Sequence, residues 1–197
     1  MMKKAGGKKL KYIKEFLFNA NIFAKWAFLA VLLASLRFFE AEWTWSLTII
    51  GGYFFFKASE YFNHRFVFHH PLFRKYLPNS ILRQLHDNHH HHPNELKYLF
   101  MPLWYAIPLP LISGILVYFL IGGWAFAITF NIGLMTGFLQ YEWMHFTFHR
   151  PIEVSSEKHY VTKRQHLAHH FQSEQKGFAI TGNRLDKIFG TSEKFKE

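Results

Sequence analysis

The run WAFAITFNIGLMTGFLQYEWMHFTFH, residues 124–149, begins as an apolar segment and ends in two histidines one helical turn apart. Its apolar part, Trp124 to Leu139, is shorter than the roughly 20 helical residues that a bilayer core of about 30 Å requires. Continuing the helix through Gln140 to Met144 supplies the missing length and carries His145 and His149 just outside the lipid. The run Trp43 to Phe56 reads the same way, with Lys57 to Tyr61 as the extension and His64 beyond it. Two further runs, Phe16 to Phe39 and Met101 to Leu120, are long enough outright.

The pattern predicts an all-α integral membrane protein with four transmembrane helices at about 16–39, 43–61, 101–120 and 124–144, and a helical cap that carries the histidines. A basic amino terminus over 1–15 and a short, frayed tail over 191–197 complete one domain spanning residues 1–197. A basic start before an apolar run also describes a secretory signal, but this run is longer than an h-region and further spans follow it.

Orientation follows from the basic residues. Lys3, Lys4, Lys8, Lys9, Lys11 and Lys14 precede the first span, and Arg65, Arg74, Lys75, Arg83 and Lys97 lie between the second and third. Lys158, Lys163, Arg164, Lys176, Arg184 and Lys187 follow the fourth, whereas the remaining loops hold Glu40 and Glu42, or Gly122 and Gly123. The positive-inside rule then puts both termini and every histidine block on the cytoplasmic side. It also accounts for the net charge of +10, together with attraction to anionic headgroups, so nucleic acid is not an expected partner. The chain has no cysteine, which excludes disulfides and thiolate ligands.

Ten of the fourteen histidines fall into four blocks: His64/His69, His86/His89/His90, His145/His149 and His166/His169/His170. Neutral imidazole is the commonest protein metal ligand. Side chains at i, i+3 and i+4 share a helix face, so each triplet is expected to converge on one point. His64 and His69 lie about 140° apart on an ideal helix, which predicts a helix end or break between them. A single buried histidine is ordinarily satisfied by a hydrogen bond, and His89 to His92 alone could be a solvated tract. Four blocks in one short chain point instead to a single centre built from both halves of the sequence.

Ten ligands exceed the needs of one ion, since zinc takes about four and iron about six, so two metals are expected. An almost purely imidazole set stays positively charged, which favours a reducible metal that takes up electrons before activating oxygen. Glu60 and Glu142 precede His64 and His145 by about one turn and are candidates to orient imidazole N–H groups, or simply to end helices at the membrane face. Asp87 reads as a helix or loop residue rather than a ligand.

On the strings EYFNHRFVFH, HDNHH, YEWMHFTFH and HLAHHFQSEQKGFAITGNRLDKIFGT, the chain resembles the fatty acid hydroxylase superfamily over about Glu60 to Thr191. These are integral-membrane, histidine-motif oxygenases that include sterol desaturases and fatty acid 2-hydroxylases. The closing Gly177-Phe178, Thr181 and Asp186 to Thr191 most resemble the fatty acid (ceramide) 2-hydroxylases. That resemblance implies two iron ions held by the ten block histidines, with zinc able to substitute in purified samples. It further implies O2 as co-substrate and a fatty acid or ceramide acyl chain as the group hydroxylated, in lipid biosynthesis.

Eukaryotic 2-hydroxylases usually carry a fused cytochrome b5 domain, for which these residues hold no counterpart, so electrons are expected from a separate cytochrome b5, ferredoxin or reductase. Relatives also tend to have a histidine where this chain has Leu82, which makes His70, His91, His92 and His159 possible accessory ligands. Arg65 matches a basic motif position and would serve headgroups or the fold. A sterol or fatty acid desaturase, or a carotenoid hydroxylase, would carry the same histidines. A metal transporter or metal-binding membrane protein should instead place ligands near the membrane midplane, where these four spans have no histidine.

Overall fold

The computed structural model describes residues 2–154 and 156–195, and helix is the only regular structure among them. The first half contains α1 (Met2–Leu17), α2 (Ala20–Ser35), α3 (Thr44–Phe62), α4 (Pro71–Tyr76), α5 (Asn79–Leu82) and α6 (Asn88–His91). The second half contains α7 (Leu96–Leu99), α8 (Leu103–Ala106), α9 (Pro108–Ile121), α10 (Trp124–Phe148), α11 (Glu157–Phe171) and α12 (Arg184–Ile188). Two segments, Asn63–Phe68 and Arg83–Asp87, are π-helical.

Ala20–Phe38, of 19 residues, and Leu96–Ile121, of 26, are long and apolar enough to cross a membrane. The first begins four residues later than expected, because the helix breaks at Phe18 and Asn19, where the Asn19 side chain caps the new start by accepting from the Asn21 N–H (2.9 Å). In the second, Pro102 and Pro108 divide the segment into short helices. Helices α3 and α10 match the other two expected spans within a few residues, but Lys57 and Glu60, or Asn131 and Gln140, leave them less apolar.

The chain forms two compact units, each assembled from two separated stretches. The first comprises Met1–Lys57 and Phe100–Glu142. Within it α3 and α10 cross at backbone distance. A Cβ on Gly52 would collide with the Phe130 carbonyl, and one on Gly133 with the Ile49 carbonyl, so glycine at both points lets the helices meet. Thr48 and Thr129 hydroxyls (2.6 Å) and the Tyr53 hydroxyl donating to Gln140 (2.6 Å) fix the register of that crossing.

Helix α2 turns Ile22, Lys25 and Leu29 inward. Lys25 is fully buried inside a segment otherwise suited to lipid. Its ammonium pairs with the equally buried Glu142, donates to the Met101 carbonyl (2.8 Å) and lies 4.9 Å from the centre of the Phe138 ring. Glu142 also accepts the Met101 N–H (3.2 Å). Both main-chain groups of Met101 therefore bind the ion pair, as expected where buried charge must be neutralised locally.

The second unit comprises Ala58–Leu99 and Trp143–Glu197 and contains all four histidine blocks. Arg74 is held by Asp87 through two hydrogen bonds (2.9 and 3.0 Å), so Asp87 is a structural partner of Arg74. Arg65 donates to the Tyr61 hydroxyl (2.9 Å) and lies over the Phe66 and Phe189 rings, which assigns it to the fold. The tail is not frayed as far as Phe195: Thr191 is buried against Asp186 and Tyr61, and the Arg164 guanidinium lies 4.1 Å from the Phe195 ring centre. Residues 196–197 and the side chains of the first nine residues lie outside the described part.

Candidate metal centre

All ten block histidines come together, but in two groups of five rather than by block. His64, His69, His86, His90 and His169 form one group, and His89, His145, His149, His166 and His170 form the other. Within each group one nitrogen from every ring lies within 4.8 Å of all the others. Neither triplet converges on a single point, contrary to the expectation. Residues four apart stay together (His86 with His90, His166 with His170), whereas adjacent residues point about 100° apart on a helix. His89 and His90 therefore serve different groups, as do His169 and His170. The rings of His90 and His170, one from each group, stack at 4.2 Å.

The helix ends at Phe68, between His64 and His69, as the spacing predicts. The π-helical segment Asn63–Phe68 widens the turn to hydrogen bonds of i to i+5, which returns residues five apart to one side. The second π-helical segment carries His86 in the same way. Such widened turns are commonly found at functional sites.

Imidazole orientation is set by main-chain carbonyls. Nδ1 of His64 donates to Phe178 (2.5 Å), that of His145 to Leu99 (3.2 Å) and that of His169 to Lys176 (2.8 Å). A carbonyl only accepts, so the proton sits on Nδ1 and each Nε2 presents a lone pair. These lone pairs face other imidazoles closely: Nε2 atoms are 3.0 Å apart between His69 and His169, 2.7 Å between His69 and His86, 2.9 Å between His89 and His145, and 2.8 Å between His149 and His166. Among the described residues, the buried Nε2 atoms of His64, His90 and His170 have no hydrogen-bond partner. Each such orphan costs about 1–3 kcal/mol, and a shared cation relieves all of them at once. The donor set therefore fits a pair of metal ions.

The carbonyls that hold the rings are themselves tied down by the carboxyl-terminal string. Asp186 is fully buried and accepts from the Phe178 N–H (3.0 Å), the Ala179 N–H (2.9 Å) and the Thr191 hydroxyl (2.8 Å). Gly177 donates to the Thr191 carbonyl (2.8 Å) at φ +70°, packed so close to the Gln165 carbonyl that a side chain would not fit. Glu60 accepts from the Ile180 and Thr181 N–H groups and from the Thr181 hydroxyl (2.6 Å). The ring-orienting role expected of Glu60 and Glu142 thus falls to main-chain oxygens. Glu60 acts one step away, on the loop behind Phe178, and Glu142 belongs to the Lys25 ion pair.

Neither group includes the possible accessory histidines. His70 caps α4 by accepting from the Leu72 N–H (3.3 Å), His159 faces the Thr147 hydroxyl (3.3 Å), His92 faces Glu95, and His91 is exposed.

Burial, reinforced by neighbouring imidazoles, pushes the histidines toward the neutral, ligating form. His169 falls to about 4, His90 to about 3 and His69 to about 2. In the other group His145 falls to about 3 and His149 to about 2. Above pH about 6.5 neither the folded nor the unfolded chain protonates these rings. Below it the unfolded chain takes up protons that the folded one refuses, so stability falls as pH falls, by about 1.4 kcal/mol per pH unit for each ring. Five such rings match a typical total stability of about 5–15 kcal/mol within one to two pH units. The metal-free protein in detergent is expected to unfold between about pH 6 and 4.5 by circular dichroism, and bound metal to move that midpoint lower. A midpoint unmoved by metal would count against both groups as ligand sets.

An all-helical fold that gathers ten imidazoles, eight buried and two half-buried, into two groups of five defines a histidine-rich candidate metal protein. Residues 49–191 match the fatty acid hydroxylase family model, and the chain belongs to that family. It is 36% identical over 135 residues to a dihydroceramide fatty acyl 2-hydroxylase of Arabidopsis thaliana, covering 67% of this chain and 54% of the relative. To a ceramide very long chain fatty acid hydroxylase of Saccharomyces cerevisiae it is 34% identical over 149 residues, covering 71% and 36%. The chain thus spans about half or less of these relatives. A solved structure of full-length scs7p, with only the hydroxylase domain visible, superposes with a TM-score of 0.74 at 25% identity, covering 87% of this chain and 65% of that one.

Proposed function

We propose that this chain is a membrane-bound, O2-dependent hydroxylase with two iron ions that places a hydroxyl group at C2 of a fatty acid or ceramide acyl chain. The reaction consumes one O2, two electrons and two protons for each C–H bond converted to C–OH, with water as the second product. The observation that carries this reading is the division of ten imidazoles, eight of them buried, into two groups of five. Five donors leave one position of a six-coordinate iron for the reaction, whereas a structural zinc site is closed by four.

Bound iron supplies the reductive activation of O2. The chain's own part is to keep the ligating nitrogens unprotonated by burial, to point them inward through the Phe178, Leu99 and Lys176 carbonyls, and to withhold acidic ligands. Relatives named as fatty acyl and ceramide 2-hydroxylases support the choice of substrate and carbon. Residues 1–197 act as one domain of four transmembrane helices with termini and histidines on the cytoplasmic side, where a separate cytochrome b5, ferredoxin or reductase delivers electrons.

The test is a lipid comparison by mass spectrometry in aerobic cells with and without the protein, supplied with a reductase system. New 2-hydroxy acyl lipids that disappear without O2 are expected. Unchanged lipids from protein carrying two iron ions and an active donor would overturn the proposal, and a new double bond would reassign the product.

A further inference from the structure

Glu174 lies in the turn after α11, outside both histidine groups. Its two carboxylate oxygens face two ligands of the same group: Oε2 is 3.5 Å from Nδ1 of His69, and Oε1 is 3.4 Å from Nδ1 of His90. The Arg74 guanidinium, bound by Asp87 through two hydrogen bonds, is close enough to feel the Glu174 charge as well. The other group differs at three of its rings. Nδ1 of His89, His166 and His170 is buried there with neither a hydrogen-bond partner nor a facing carboxylate, whereas Nδ1 of His90, equally without a hydrogen bond, has the Glu174 charge beside it. The charges beside that group are cations: Arg150 donates to the His149 carbonyl (3.1 Å) and Lys163 to the Thr147 carbonyl (3.1 Å).

We propose that Glu174 is a positioning residue that makes the two metal positions unequal, so that the group of His64, His69, His86, His90 and His169 holds its ion more tightly. A carboxylate beside Nδ1–H polarises the ring and strengthens the Nε2 donor, and its charge offsets part of the ion's. Serving two rings at once, it also fixes the angle between them. The second group, with His89, His166 and His170 lacking a partner at Nδ1 and with cationic neighbours, releases its ion first. This inference rests on the reading that each group binds one metal ion.

The test is zinc binding to the purified full-length chain in detergent, measured by chelator competition and metal analysis. The parent protein is expected to hold two equivalents and to lose them in two steps. With the second group disabled by His149→Ala, Glu174→Ala should weaken the remaining ion by about 10-fold or more, the usual effect of losing an outer-shell partner, and Glu174→Gln by less. With the first group disabled by His86→Ala, Glu174→Ala should change nothing. Equal weakening in both backgrounds, or none in the first, would overturn the role of Glu174 while leaving the two-metal reading intact. A parent protein that never holds two equivalents would overturn both. The Glu174 side chain is 57% exposed, so its replacement leaves folding unchanged, which circular dichroism verifies.

Discussion

His89→Ala is expected to empty one metal position and lower turnover by more than about 100-fold, the upper end of what losing an outer-shell partner costs, because a direct ligand matters more. His169→Ala should empty the other position. Metal analysis would find about one equivalent in each variant, and chemistry that needs both ions would fail in both. The two groups are linked at the His90–His170 stack but share no ligand, so the ion remaining in each variant should be the one opposite the substitution. Normal 2-hydroxy product from either variant would sink the assignment of these histidines.

Lys25→Met is expected to destabilise the protein by about 3–5 kcal/mol, since it strands the fully buried Glu142 carboxylate without its counter-charge. The double replacement Lys25→Met with Glu142→Met removes both charges, and should recover most of that loss because an apolar pair of similar volume needs no desolvation. Thermal unfolding of the single and double variants in detergent gives the comparison. A single variant within about 1 kcal/mol of the parent would mean that water or lipid headgroups reach the site. The pair belongs to neither histidine group, so its expected effect is on Tm rather than on the nature of the product.

The ten histidines were legible from spacing alone, because a repeat of three and four residues on a helix leaves few other readings. Their division into two groups was not. It depends on the direction of adjacent side chains such as His89 and His90, and on a π-helical turn between Asn63 and Phe68 that composition does not signal. Glu60 and Glu142 stood at the spacing of imidazole partners, yet carbonyls from a distant loop took that role, since main-chain oxygens leave no periodic trace. Glu174 escaped notice for a related reason: it sits in a turn, where neighbours in space are unrelated to neighbours in sequence. Lys25 sits inside an apolar run that reads simply as a span, and a charge in such a place calls for a buried partner. Only the fold identifies that partner as Glu142, 117 residues away.

The adjacent pairs His89-His90 and His169-His170 act as two rulers laid across the centre. Each pair ties one group to the other through a single peptide bond, about 3.8 Å between Cα atoms. The separation between the two groups is thereby gauged by covalent backbone, a spacing that the loading of either group would leave unchanged.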